Sequence, residues 1–353
     1  MAIQAGRIRI LKQAEPRGEG RYVLYLLQQA NRAHANPALE FAIAEANRLG
    51  LPVLAGFGLL DGKNGFPEAN ARHYAFLLQG LADAASGLKD RGIGFCLRKA
   101  SPARVAIDLA KEAALLVLDR GYLAIQKRWY DEIVAAVDTR IVQVEGDVVV
   151  PVEVASAKHE FAARTLRPKL HKHLDDYVAP LAARTVKHPA GRGLPTSEVD
   201  ITDPDKVLAG MSLDRAVGPV RRFTGGETEA RRRLKAYLDG PFADYGSDRN
   251  RPEAGAASHM SPYLHFGQIS PVEIVLAVRA AETGGREDKA SYVEEVVIRR
   301  ELAMNHVHYT DGYDRYESAV PEWARKVLAD HAGDARPKTY TETELAEGRT
   351  HDV

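Results

Sequence analysis

The chain has 353 residues, 45% hydrophobic and 27% charged, enough for two packed domains with a buried core each. Lys plus Arg and Asp plus Glu balance at 48 each, which excludes a generally polycationic nucleic-acid binder and leaves a local basic patch for any such role. One cysteine, Cys96 in the apolar run Gly94–Leu97, excludes a disulfide framework, and no apolar run reaches membrane-spanning length.

Met1–Gly20 carries charge, Gly and Pro without the apolar stretch of a secretory signal, so a cytoplasmic protein is expected. From Arg21 short apolar runs alternate with amphipathic stretches. Tyr22–Leu27, Pro52–Leu60, Gly94–Arg98, Ala114–Leu118 and Arg140–Val144 predict strands, and their continuous apolar character suits strands covered on both faces. Between them Asn36–Leu49, Asn70–Lys89, Pro102–Glu112 and Gln126–Val137 predict helices, two of them opened by a cap and a proline, Asn36-Pro37 and Ser101-Pro102. This βαβ rhythm predicts an α/β, doubly wound parallel sheet. Gln28–His34 follows the first strand where a Rossmann turn would carry GxGxxG, so an ordinary dinucleotide site is not expected there.

After Val152 a basic stretch, Lys158–His173, leads to a Pro/Gly-rich connector, His188–Thr202, that reads as surface linker. From Asp205 the segments Glu227–Asp239, Pro271–Ala281, Ala290–His306 and Trp323–Asp330 predict helices without competing strand patterns, so this half is all-α in character. The organisation expected is an α/β domain over 20–152, an interdomain linker over 153–204 and a helical domain over 205–353.

Three clusters carry chemistry. In Ser258–Pro271 two helix starts, Ser261-Pro262 and Ser270-Pro271, lie close together; free N–H groups there either seat a phosphate or simply cap the chain. Tyr245 with Asp248-Arg249-Asn250-Arg251-Pro252 combines an aromatic face and two guanidinium groups in a loop, suited to an adenine or a DNA phosphate, or to plain solvation. In Glu294–His306, Val297, Glu301 and Asn305 share one helix face at i, i+4, i+8. That acid and amide suit hydrogen bonding to a pyrimidine and Arg299 and Arg300 suit phosphate, with an ion-paired helix surface as the alternative. The pairs His171/His173 and His306/His308 have the wrong spacing for one helix face, and no metal is expected. Trp129 and Trp323 read as packing residues rather than an electron relay.

Four stretches, Gly20–Tyr25, Val144–Pro151, Ser261–Ser270 and Arg299–Asn305, in this order, resemble the class II cyclobutane pyrimidine dimer photolyases, over nearly the whole chain. The resemblance implies a photolyase/cryptochrome fold, with an α/β antenna domain over 20–152 and a helical FAD-binding catalytic domain over 205–353. It implies light-driven repair of pyrimidine dimers in UV-damaged DNA by electron transfer from reduced FAD. Ser258, His259, Met260 and Ser261 would line the flavin diphosphate with Tyr245 nearby. Glu301, carrying a proton, would face the damaged bases, with Asn305 on the same wall. Arg249, Arg251, Arg299 and Arg300 would contact DNA. An antenna chromophore, deazaflavin or folate, is left unassigned, and a monomer is expected. Members of the family continue past a sequence such as Arg349-Thr350-His351-Asp352-Val353 into further helices that complete the flavin cradle, so the chain reads as C-terminally truncated. An inactive remnant, a cryptochrome-like photoreceptor without repair, and a nucleotide-binding α/β module whose helical half mediates protein contacts are the competing readings.

Overall fold

The computed structural model describes residues 3–62 and 65–350. Six strands make one sheet: β1 Ile8–Lys12, β2 Tyr22–Leu26, β3 Val53–Gly58, β4 Gly94–Arg98, β5 Ala113–Asp119 and β6 Arg140–Val144. Their order is β1-β6-β5-β2-β3-β4, parallel throughout except that β1 runs antiparallel to β6 with Ile8 opposite Val144. Helices α1 Pro37–Leu49, α2 Ala71–Asp90, α3 Pro102–Ala110 and α4 Ala124–Ala136 make the crossovers. The α/β sheet expected from sequence is present. β1 is an addition, and its residues Ile-Arg-Ile-Leu-Lys are half-buried to exposed, as an edge strand permits.

Local chemistry starts the crossover helices as anticipated. The Asn36 side chain accepts from Leu39 N (3.1 Å) ahead of Pro37, and α1 stops at Gly50, whose φ of 72° suits a residue without Cβ. Ser101 likewise accepts from Arg104 N (3.2 Å) ahead of Pro102. Both sheet faces are covered: Val23, Tyr25 and Val117 pack under α1 and α2, while Leu24, Leu116 and Leu118 pack under α3 and α4. Cys96 and Trp129 belong to the second of these cores.

Strand order reverses between β2 and β5, and a crevice outside the carboxyl ends of the strands is expected there. Asp119 ends β5 in that crevice. It accepts from the N–H groups of Gln28 (3.2 Å), Gln29 (2.9 Å) and Ala30 (2.8 Å) and from the Tyr25 hydroxyl (2.8 Å). Burial pushes the Asp119 carboxyl upward against those bonds. One carboxylate thereby shapes the loop that presents Gln28, Gln29 and Asn31.

α7 Pro204–Ala209 packs on α2 in the first core, and the helical half comprises α5 Val152–Ala155, α6 Ala163–Tyr177, α8 Glu227–Leu238, α9 Tyr245–Asp248, α10 Ser261–His265, α11 Pro271–Ala280, α12 Arg286–Val293, a π turn over Glu294–Arg299, and α13 Arg300–Tyr309. α6 begins inside the basic stretch Lys158–His173 and runs past it to Tyr177; its Leu166, Leu170 and Leu174 enter a third core with Leu234, Ile274 and Val297. The connector that follows runs along the outer edge of β4, where Leu97 N donates to Ser197 Oγ (2.9 Å) and Glu198 N to Leu97 O (2.9 Å).

The helical half is fastened to the sheet by polar contacts. Gly225 N donates to Gln79 Oε1 (2.8 Å), Gln268 Nε2 to Phe76 O (3.2 Å), and the Glu227 carboxylate accepts from Ala33 N (2.7 Å). Arg32 Nη1 donates to Gly267 O (2.9 Å) and Asn31 Nδ2 to Phe266 O (2.8 Å). Gly267, at φ 65°, lies so close to the first loop that a Cβ would stand 1.8 Å from Gln29 O.

Residues Thr310–Val353 form a second compact unit with α14 Tyr316–Ala319, α15 Glu322–Asp330 and α16 Glu342–Ala346. Trp323, read from sequence as a packing residue, is exposed on α15. His351–Val353, which carry the reading of a truncated end, lie outside the described residues. Among the described residues no helix is long and apolar enough to cross a membrane, and no group of three or more His, Cys, Asp or Glu side chains could hold a metal ion.

Candidate functional site

A cavity of about 1020 Å³ opens at the crevice between the sheet and the helical half. From the α/β side it is walled by Gln28, Gln29, Asn31, Tyr122, Gln126 and Asp147. From the helical side the structure brings together Tyr245, Arg249, Ser258, His259, Met260, Ser261, Arg299 and Arg300, all singled out by sequence, with Tyr292 and Glu295.

The Ser258–Ser261 corner is built by local bonds. The Tyr292 hydroxyl donates to Ser258 Oγ (2.8 Å), and Met260 N approaches the same oxygen (3.4 Å). His259 has φ 56°, a left-handed conformation that costs a side-chain-bearing residue about 1–3 kcal/mol, and the fold holds it at the cavity wall. Its Nε2 accepts from Arg222 Nη2 (2.8 Å); burial, with the charges of Arg222 and Arg233, lowers its pKa and keeps the ring neutral. Beyond Met260, α10 begins with N–H groups that the helix itself does not use.

The cations are committed unequally. Arg300 donates from Nη2 to Asp147 Oδ1 (2.6 Å), and Gln29 Nε2 donates to Asp147 Oδ2 (3.1 Å), so the charge expected to meet DNA phosphate is already neutralised at the wall. Arg249 is paired with Glu295 (2.7 Å). Arg299 is exposed and only loosely paired with Glu294 (3.4 Å). Arg251 does not line the cavity; it is bound to Asp248 and Glu253 at the surface.

Glu301 and Asn305 do not line the cavity either. They share a face with Val297, as the helical spacing requires, but that face points inward, leaving the two side chains 2% and 1% exposed. The Glu301 carboxylate accepts from Val149 N and Val150 N, while Asn305 holds Glu160 N (2.7 Å) and Lys158 O (3.0 Å). The π turn just before α13 inserts extra residues into the helical count and changes which side chains before and after it are aligned. Glu295, on that turn, is the carboxylate that reaches the cavity from the helical side, and nothing in a helical-wheel reading distinguishes it. Asp147 and Gln29 carry no local signal either, because their place at the wall depends on loops 118 residues apart being joined.

Burial raises the pKa of Glu301 to about 8, against the pull of Val149 N–H and of the Arg300 charge. Between the ordinary carboxyl value of 4.5 and about 8 the folded protein therefore holds a proton that the unfolded chain has released. Stability should fall as pH rises through that window. Melting temperatures recorded across it should decline for the wild type and much less for Glu301→Gln; parallel curves would show that the carboxyl is not the titrating group.

The family model described as DNA photolyase matches residues 23–187. A deoxyribodipyrimidine photo-lyase of Methanothermobacter thermautotrophicus is 43% identical over 350 residues, an alignment covering 99% of this chain and 75% of that protein. Proteins of the same name from Arabidopsis thaliana (32% identical, 100% of this chain and 72% of that protein) and Potorous tridactylus (31% identical, 98% and 64%) also match. Among solved structures, a bacterial class III photolyase from Agrobacterium tumefaciens superposes with a TM-score of 0.64 at 20% identity, covering 90% of this chain and 66% of that one. A Synechocystis cryptochrome superposes with a TM-score of 0.62 at 16% identity, covering 85% and 63%. At these identities the structural likeness shows the fold.

Proposed function

The chain belongs to the DNA photolyase family, and on that premise we propose that it is an enzyme of the class II kind, repairing cyclobutane pyrimidine dimers in UV-damaged DNA under light with reduced FAD. The observation that carries the reading is the convergence of Tyr245, Arg249, Ser258–Ser261 and Arg299 on one large cavity.

The residues present fit a folded dinucleotide. A volume of about 1020 Å³ is at the upper end of ordinary ligand pockets, about 300–1000 Å³. The unused N–H groups at the start of α10 suit a diphosphate, and Tyr245 and Tyr292 offer flat faces. Gln28 Oε1 and Asn31 Oδ1, on wall residues, are buried without a hydrogen-bond partner among the described residues, which suits a ligand that supplies donors. Bound FAD would supply the light-driven electron transfer to the dimer. The protein's own part is to orient the two partners, exclude water and fix charge.

A dimer stacks and pairs poorly, so extruding it into the cavity costs less than flipping an intact base, which helps to select damage. Glu295 takes the place that sequence assigned to Glu301: its carboxyl, held by Arg249, is within the cavity and able to hydrogen-bond a pyrimidine edge. Arg299, at the same wall, suits the phosphate beside the flipped bases. Next to this cavity a second one of about 390 Å³, lined by Phe57, Leu60, Phe66, Tyr74, Leu77 and Trp129, suits the flat ring system of a deazaflavin or folate antenna.

The test is to purify the chain with FAD, record its flavin absorption, and follow dimers in a defined oligonucleotide in the dark and under blue or near-ultraviolet light. Loss of dimers only in the light is expected. DNA bound without preference for dimers, and unchanged by light, would reject the reading.

A further inference from the structure

Asp147 lines the large cavity, and its neighbour Gly146 lines a different one, of about 210 Å³, between the end of α6 and the start of α11. The body of this smaller cavity is apolar, walled by Ala35, Pro37, Tyr177, Leu181, Val272 and Leu276. Its polar end is made by Arg7, Ser270 and the first turn of α11.

Arg7 is 4% exposed, lies 5.1 Å from the centre of the Tyr177 ring, and forms no ion pair among the described residues. Its guanidinium donates to Gln4 Oε1 (2.9 Å) and to the carbonyls of Glu145 (3.1 Å), Val148 (3.0 Å) and Val149 (2.7 Å). Those bonds leave one of the five guanidinium N–H groups unused and cancel none of the charge. Arg32, 1% exposed, stands behind the same wall, donating to Ala35 O (3.1 Å), Gly146 O (3.3 Å) and Gly267 O (2.9 Å), again without a carboxylate. The buried acids nearby are committed: Glu145 holds Arg120 (2.8 Å), and Glu301 keeps its proton below about 8. Two buried cations without a counter-ion are costly, and an anion beside them offsets part of that cost.

Ser270 occupies the N-cap of α11 yet caps nothing. The residue is 4% exposed, its side chain makes no bond to its own helix, and its hydroxyl finds no other partner among the described residues. Val272 N and Glu273 N, which a serine in this position ordinarily serves, stay among the N–H groups that the helix does not use, at the positive end of its dipole. Glu273, the one carboxylate on the wall among the described residues, is held by Arg231 Nη2 (3.1 Å). A buried cation, a free buried hydroxyl and open helix N–H groups therefore meet at one end of an apolar cavity.

We propose that this cavity is a binding site for a small carboxylate with a short apolar body, its carboxylate on Arg7, Ser270 and the first N–H groups of α11 and its carbon chain against Tyr177 and Leu276. A volume of about 210 Å³ lies below the usual range for drug-sized ligands, about 300–1000 Å³, and suits an acid of a few carbons. Arg7 holds the carbonyls on both sides of Asp147, so the ligand also stiffens the loop behind the large cavity. The site stands whether or not the proposed repair function does.

Butyrate should be titrated calorimetrically into the full chain, beside butyramide and inorganic phosphate. Saturable binding of butyrate with a Kd of about 1 mM or tighter is expected, with butyramide and phosphate about ten-fold weaker or more, since neither joins a charge to an apolar body. Ser270→Ala should keep the melting temperature, because the hydroxyl caps nothing, and weaken butyrate about ten-fold, as loss of a hydrogen bond to a charged group does. Leu276→Trp should fill the cavity and abolish binding. No saturable binding of butyrate below about 10 mM, or an unchanged affinity in Ser270→Ala, would overturn the site. Phosphate binding as tightly as butyrate would overturn the carboxylate ligand. Displacement of butyrate by FAD would put it in the large cavity and overturn this one. Butyrate binding as expected in a chain that fails to repair dimers would reject the repair function alone.

Discussion

Glu295→Ala should lower light-driven dimer repair by about 10- to 100-fold without changing the melting temperature appreciably, since one lost preorganised group of this kind costs about that much or more. Glu295 lines the cavity, its side chain is 44% exposed, and its packing role is slight. Glu301→Ala should do the reverse. It removes the acceptor for Val149 N and Val150 N and leaves two buried donors unpaired, at about 1–3 kcal/mol each, so thermal stability falls first and repair falls only as the neighbouring wall residue Asp147 shifts. Repair per absorbed light at saturating DNA, read beside a thermal melt, separates the two. Full repair by Glu295→Ala, with loss in a stably folded Glu301→Ala, would return the catalytic role to Glu301. Glu295→Gln should fall between wild type and alanine, because an amide can still hydrogen-bond a pyrimidine edge.

The second large effect is on stability. Glu145 is fully buried and accepts from Arg120 Nη1 (2.8 Å), Val152 N (2.9 Å) and the Tyr122 hydroxyl. Arg120 already has Nη2 without a partner, and its other carboxylate, Glu153, is half exposed at 3.2 Å. Glu145→Ala therefore strands a guanidinium in the interior, which costs about 3–5 kcal/mol. In a chain of this size that should lower the melting temperature by roughly 5–10 °C. A fall of less than about 2 °C would mean that water reaches Arg120. Arg120→Met with Glu145→Leu should recover much of the loss, since a buried pair replaced by apolar groups is often neutral.

What the sequence made legible follows from the physics of each element. Strands β2, β3 and β5 are buried on both faces and read as unbroken apolar runs, so they stand out without a partner being known. β1 alternates Ile and Leu with Arg and Lys on an edge, and five such residues resemble a loop as much as a strand. α6 hides because its outer faces are basic and Pro168 interrupts it, leaving only Leu166, Leu170 and Leu174 to mark the buried stripe. At the site, Tyr245 and Ser258–Ser261 were legible because aromatic, hydroxyl and helix-start chemistry is local. Glu301 was placed on the correct helix face, but a wheel does not say whether that face meets a cavity or a protein interior. The direction came from Val149 and Val150, far away in sequence, and the π turn then gave the cavity to Glu295.

The connector along β4 has a consequence for how this chain behaves among copies of itself. By bonding to Leu97 it occupies the hydrogen-bonding row that an open strand would offer to any neighbouring chain, and its Pro and Gly residues give a second molecule little to extend. A protease nick near Gly191–Gly193 would free that row while leaving the sheet intact. The damaged protein would then be lost to strand-by-strand aggregation before it unfolded, so the connector guards solubility as much as it links two halves.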